Sequence, residues 1–135
     1  MHPAISIQNL QVSFAGRVVL DNVSLDVPAG GPTILVGRSG CGKSTLLRAV
    51  NRLNECFPGC ETTGRVLVRL DGAAVDIHSS NAPLEGLRRR VGMVFQTPNI
   101  LPVSIGRNIA LPLTAANSLR RSELPDRIEQ TLRDT

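Results

Sequence analysis

Gly37-Arg38-Ser39-Gly40-Cys41-Gly42-Lys43-Ser44-Thr45 is the stretch on which the fold turns. It satisfies the pattern G-x-x-x-x-G-K-[ST], and its surroundings matter as much as its letters. Before it, Thr33 to Val36 (TILV) is a short apolar run with glycines on both sides, which predicts a central strand buried on both faces of a sheet. After it, Leu46, Leu47, Val50 and Leu53 form one stripe of an amphipathic helix that starts at Ser44 and ends before Pro58-Gly59. Strand, glycine loop and helix therefore follow in the order that a phosphate-binding loop requires.

Each position in the loop has a physical task. Glycines at 37, 40 and 42 permit positive φ and let the backbone curl, so that successive amides point inward as a nest for a polyphosphate. The start of the helix adds the positive end of its dipole, roughly half an elementary charge. Lys43 is expected to reach the β- and γ-phosphates, and the Ser44 hydroxyl to ligate Mg²⁺. A turn that only joined a strand to a helix would leave a lysine beside two hydroxyls unexplained.

Working outward, ISIQNLQV (5–12) and VVLDNVSLDV (18–27) alternate apolar and polar residues, predicting an antiparallel pair that the Pro28-Ala29-Gly30 turn closes. RVLVRLDGAAVDI (65–77) places Asp71-Gly72, a favoured hairpin turn, between two strand-like runs. After a polar stretch, LEGLRRR predicts a short helix and VGMVFQ an apolar strand. Ser104 is placed to cap a helix IGRNIA that Pro112 stops, and Leu119 to Asp134 reads as a polar helix with Leu124, Ile128 and Leu132 on one side.

The composition narrows the function classes. The chain has 135 residues with 41% apolar content, the size of one domain or part of one. No apolar run approaches the roughly 18 residues of a membrane span, and the start has no basic leader, so a cytoplasmic location is expected. The net charge of +4 is spread along the chain apart from Arg88-Arg89-Arg90 and Arg120-Arg121, and with three Phe and no Tyr or Trp there are few rings for base stacking. Nucleic acid is therefore not an expected partner. Cys41, Cys56 and Cys60 read as reduced thiols, and Cys56 with Cys60 lacks a second Cys/His pair to complete a zinc site.

Two further segments carry a family resemblance. SFAGRVVLDNVSLDVPAG resembles the opening of ATP-binding-cassette ATPases, in which an aromatic residue stacks on adenine; Phe14 occupies that place. VGMVFQTP resembles the Q-loop of the same family, which places Gln96 to contact Mg²⁺ and the attacking water. Aromatic residue, β-pair, phosphate loop, helix, hairpin and Q-loop occur in the family's order across nearly the whole chain. NRLNECFPGCETTGRVLV and LRRRVGMVFQTPNILPVSIGRNIA are most similar to the ATPase subunits of phosphate importers.

The resemblance implies an α/β fold: a P-loop NTPase core of RecA type with an N-terminal antiparallel β-subdomain. The antiparallel and phosphate-loop region spans 1–77, and the Q-loop with the start of a helical subdomain spans 78–135. The implied ligands are ATP and Mg²⁺. Phe14, Gly37, Arg38, Ser39, Gly40, Cys41, Gly42, Lys43, Ser44 and Thr45 bind the nucleotide, Ser44 and Gln96 serve the metal, and Lys43 and Gln96 serve catalysis. The implied partners are membrane-spanning permease subunits that touch residues 97–113 and a second ATPase subunit, with the protein peripheral on the inner face of the cell membrane.

The family's signature segment, its acidic strand with the catalytic glutamate and its switch histidine would fall after residue 135. The fold class is thus expected in a form that stops before those elements, and the chain by itself is expected to bind nucleotide without turning it over. A nucleotide-binding module without hydrolysis is the alternative reading. A small-molecule kinase is a second alternative, for which no lid or acceptor pocket can be named.

Overall fold

The computed structural model describes residues 2–79, 83–115 and 121–134, and these divide into two units, residues 1–94 and 95–135. In the first unit, β1 (Ile5–Phe14) and β2 (Arg17–Val27) form the expected antiparallel pair. The turn between them, Ala15-Gly16, has positive φ at both residues, which matches the right-handed twist of a hairpin. β3 (Cys60–Leu70) and β4 (Ala73–Asp76) form the expected hairpin about Asp71-Gly72, again with positive φ at both turn residues. The sheet order is β2-β1-β3-β4, so β1 is paired on both sides.

One irregularity orients the central strand. Asn9 and Asn22 both have φ near +50°, the Asn9 side-chain amide donates to the Asn22 carbonyl oxygen Oδ1 at 2.8 Å, and the Asn9 backbone amide donates to Ser24 Oγ at 2.8 Å. Gly64 of β3 faces this bulge, and a Cβ there would lie 2.4 Å from the Asn9 carbonyl oxygen. The bulge lets Ile7 and Leu10, an odd number of residues apart, both turn inward, where strict alternation would send one to solvent.

α1 (Lys43–Ala49) packs Leu46 and Ala49 against Leu10, Val12, Leu20 and Val66 to make the core, and Leu87 of α2 (Leu84–Arg90) joins it. α1 is shorter than its apolar stripe predicts. Arg52 adopts the left-handed conformation at φ 58° and a 3₁₀ turn, Leu53–Cys56, follows. The reason is polar: the Arg52 guanidinium donates to both oxygens of Glu55, at 2.6 and 3.0 Å, and to the Ile77 carbonyl at 3.1 Å.

Two expected strands are not in strand geometry. Thr33–Val36 runs as irregular chain, with Ile34 81% and Val36 91% exposed, and Leu35 alone turns to the core. Residues 91–96 are likewise irregular, with Val94 98% exposed. A strand of a parallel sheet takes its hydrogen bonds from neighbours on both sides, and no described strand lies beside either segment. A cavity of 120 Å³ lined by Ile5, Leu25, Leu35, Leu46 and Val50 marks how lightly Leu35 covers the sheet.

The second unit holds α3 (Ile105–Ala115) and α4 (Leu124–Arg133). Ser104 caps α3 as expected, its Oγ accepting from the Arg107 amide at 3.3 Å. Pro112 does not stop the helix. It is exposed, and the Thr114 hydroxyl donates to the Ala110 and Leu111 carbonyls at 3.0 Å. Of the helix expected over 119–134, residues 119 and 120 lie outside the described residues; a 3₁₀ turn covers 121–123 and α4 follows.

Candidate functional site

The loop before α1 has the curvature its glycines predict at two of three positions. Gly40 and Gly42 have φ of 78° and 97°, and Gly42 is the N-cap of the helix with no side chain capping it. Gly37 is not in the left-handed region. What requires glycine there is space, since a Cβ at Gly37 would lie 2.9 Å from Cys41 Sγ. Gly42 is under both constraints: a Cβ would lie 2.7 Å from Leu20 Cδ2 and 3.4 Å from the Val19 carbonyl oxygen. β2 therefore forms the floor of the loop.

Lys43 folds back into the ring. Its Nζ donates to the carbonyls of Gly37 at 2.9 Å and Arg38 at 2.7 Å and lies 3.7 Å from Cys41 Sγ. An ammonium is thus fixed at the centre of the loop, and the amides of Lys43, Ser44 and Thr45 begin a helix and have no intrahelical acceptor. The side chains of Arg38, Ser39, Cys41 and Ser44 are exposed, and Thr45 is buried at 9%. No residue from 37 to 45 is acidic, so nothing in the loop repels an anion.

This donor set suits a magnesium polyphosphate. The Lys43 ammonium and the free amides at the start of α1 could face one anion, and the exposed Ser44 hydroxyl could offer a hard oxygen to a magnesium ion beside it. Among the described residues no cluster of His, Cys, Asp and Glu could hold a metal by itself.

α1 is held from behind by residues to which the sequence reading gave no site role. The Asn54 side-chain amide donates to the Thr45 carbonyl at 2.8 Å, while the buried Asn54 Oδ1 has no donor among the described residues. Arg88 of α2 donates to the carbonyls of Asn51 at 3.3 Å and Arg52 at 2.9 Å. His78 Nε2 lies 3.1 Å from the Ala49 carbonyl and its Nδ1 lies 3.8 Å from Glu55. Burial pushes the His78 pKa below its ordinary value, with Arg52 acting the same way against the opposing pull of the Ala49 carbonyl, Glu55 and Asp76. Burial alone would raise the Asp76 carboxyl, but Arg65 at 2.9 Å and the backbone of His78 and Val66 outweigh it and hold the pKa below the ordinary carboxylate value.

Phe14 ends β1 and is half-buried. Its ring meets Phe57 edge to face, with centroids 6.1 Å apart and planes at 85°, and the Arg48 guanidinium of α1 lies 5.0 Å from the centre of the Phe57 ring. An aromatic residue just before Pro58-Gly59 was the available signal for Phe57, but nothing in the sequence says which ring it meets.

Gln96 lies in the second unit and is exposed there. So are Ile100, Leu101 and Ile105 of the 97–113 segment. Asn108 pins that loop: its Oδ1 accepts from the Leu101 amide at 2.9 Å, and its Nδ2 lies within 3.2 Å of the carbonyls of Leu101, Val103 and Ser104. No helix among the described residues is long and apolar enough to cross a membrane.

The family described as ABC transporter matches residues 20–134. The chain is 43% identical over 130 residues to the phosphate import ATP-binding protein PstB 1 of Vibrio parahaemolyticus, covering 96% of this chain and 46% of that protein. It is 53% identical over 110 residues to the phosphate import ATP-binding protein PstB of Parasynechococcus marenigrum, covering 79% of this chain and 38% of the relative. A relative of the same description from Vibrio vulnificus is 41% identical over 130 residues. The chain thus spans less than half the length of these relatives.

Proposed function

We propose, from the premise that the chain belongs to the ABC transporter family, that its first unit binds ATP with Mg²⁺ and forms one half of the nucleotide site of a phosphate-import ATPase. The observation that carries this reading is the Lys43 ammonium held by the Gly37 and Arg38 carbonyls inside a loop whose Gly40 and Gly42 are left-handed. When bound, ATP with its metal supplies a transferable phosphoryl group whose charge the ion partly neutralises.

The work of this chain is holding and orienting. The amides at the start of α1 accept the charge of the phosphates, and Lys43 exchanges backbone carbonyls for phosphate oxygens, a stronger charge-assisted pairing. Ser44 gives its hydroxyl oxygen to Mg²⁺. Phe14 offers its ring to the base, which suits any purine because every base has a π-face. The amide of Gln96 is assigned by the family resemblance to the metal and the attacking water.

Phosphate as the transported solute rests on the names of the relatives, "phosphate import ATP-binding protein". The exposed apolar residues of 97–113, held by Asn108, support this segment as the contact for a membrane-spanning subunit. The 135 residues contain no apolar run ending in Asp-Glu. We therefore assign binding without turnover to this chain alone, and assembly with a second ATPase subunit to the intact protein at the inner face of the membrane.

Titration with ATP at increasing Mg²⁺ tests the reading. The wild-type chain binds ATP more tightly as Mg²⁺ rises, Ser44→Ala loses that dependence, and no inorganic phosphate is released. ATP affinity indifferent to both Mg²⁺ and Ser44, or sustained release of phosphate by the chain alone, would contradict it.

A further inference from the structure

We propose that Phe57 is a positioning residue for the base end of the nucleotide site, setting the orientation of the Phe14 ring, and that Arg48 ties this aromatic pair to the helix that carries the phosphate loop. The inference rests on the nucleotide reading above and goes beyond it, because it concerns how the base platform is held and what transmits between the two ends of the nucleotide.

A phenylalanine that stacks on a base has no hydroxyl or ring nitrogen with which to fix its own plane. Its orientation has to come from neighbours. Among the described residues Phe14 has one aromatic neighbour, Phe57, placed edge to face at 6.1 Å and 85°, the geometry that the quadrupoles of two rings favour. Phe57 is itself 46% exposed, so burial does little to hold it. Two other interactions do: the Arg48 guanidinium 5.0 Å from its ring centre, and the Phe57 backbone amide donating to the Asn54 carbonyl at 3.0 Å.

Both routes lead to α1. Arg48 lies one turn after Ser44, on the same face of the helix, and the Asn54 side chain donates to the Thr45 carbonyl. On the other side the Phe57 loop is locked to the β1–β2 turn. The Ala15 amide donates to the Gly59 carbonyl at 2.8 Å, and a Cβ on Gly59 would lie 3.1 Å from the Ala15 nitrogen. The loop after α1 therefore bridges the ring that takes the base and the helix whose start takes the phosphates.

The alternative is that Phe57 only covers the hairpin. The two readings differ in whether the base of the ligand matters. Binding of ATP and of inorganic tripolyphosphate, each with Mg²⁺, is measured on the full chain for wild type, Phe57→Leu, Phe57→Tyr, Phe14→Leu and the Phe14→Leu/Phe57→Leu double variant. The positioning role predicts that Phe57→Leu weakens ATP about three- to tenfold and leaves tripolyphosphate unchanged. Phe57→Tyr, which keeps the ring, restores ATP binding. The double variant is no weaker than Phe14→Leu, because Phe57 acts through Phe14.

Unchanged tripolyphosphate binding also shows that each variant is folded. Equal loss of both ligands, loss of neither, or full additivity in the double variant would overturn the proposal. So would an ATP affinity that ignores Phe14→Leu, while leaving the phosphate-loop reading intact. Failure of wild-type chain to bind either ligand would overturn that reading and this one together.

Discussion

The two ends of α1 are built on opposite plans. At the start, the backbone is turned by Gly40 and Gly42, no side chain caps the helix, and Lys43, folded back into the loop, rests on backbone carbonyls that an anion can replace. At the far end His78 and Arg88 each bond a carbonyl in or just after the helix and Arg52 locks to Glu55 and Ile77, while Asn54, beyond that end, reaches back to the Thr45 carbonyl in the first turn. The contrast separates duties. Polar groups satisfied from behind fix where the helix points, and groups left with exchangeable partners in front can answer a ligand without disturbing the fold.

Substitutions that strike one end or the other test this division. Gly42 begins α1 at the ligand end and rests on Leu20 of β2, so Gly42→Val carries the largest expected effect. Its side chain would run into Leu20 and occupy a backbone conformation at φ 97°. We expect about 3 kcal/mol of lost stability in denaturant unfolding together with lost ATP binding. A stable, ATP-binding Gly42→Val chain would show that β2 does not form the floor of the loop.

Arg88→Ala removes the clamp alone. It leaves the carbonyls of Asn51 and Arg52 without their partly buried donor, and about 1–2 kcal/mol of stability is expected to go, with ATP affinity changed less than about threefold. A loss of affinity without a loss of stability would reverse the assignment of duties.

His78 gives the smallest effect and the one with a pH signature. Its folded pKa lies below the ordinary histidine value, so the unfolded chain binds the proton first. Stability is then level at higher pH and falls as pH drops below about 6.5, and thermal unfolding of His78→Gln is flatter across that window. Asp76 has the same sign of dependence in a more acidic window: its folded pKa is also lowered, so its contribution is present above the ordinary carboxylate value and is lost as pH falls through the folded pKa.

The elements that were legible in the sequence are those whose causes are local. Asp71-Gly72 announces its hairpin because both turn residues need positive φ, and Ser104 announces α3 because its hydroxyl serves an amide three residues on. Gly40 and Gly42 behave as the loop pattern requires. What escaped depends on distant partners. Thr33–Val36 and 91–96 have strand composition, but a parallel strand is made by its neighbours and none of the described strands supplies one. The left-handed Arg52, which starts the 3₁₀ turn after α1, answers to Glu55 and Ile77, the latter far along the chain.

The site shows the same split. The phosphate loop is one continuous stretch and was readable. Its supports, Leu20 under Gly42, Asn54 behind Thr45, Arg88 and His78 at the end of α1, and Phe57 beside Phe14, arrive from separate elements and have no spacing rule to betray them.

The most direct test is a calorimetric titration of the chain with Mg·ATP, for wild type and Lys43→Ala, alongside thermal unfolding of each without nucleotide. The account predicts that Lys43→Ala loses about a hundredfold in affinity, while its unfolding midpoint stays within about 2 °C of wild type. Wild-type chain that does not bind Mg·ATP, or Lys43→Ala chain that binds it equally well, would contradict the account.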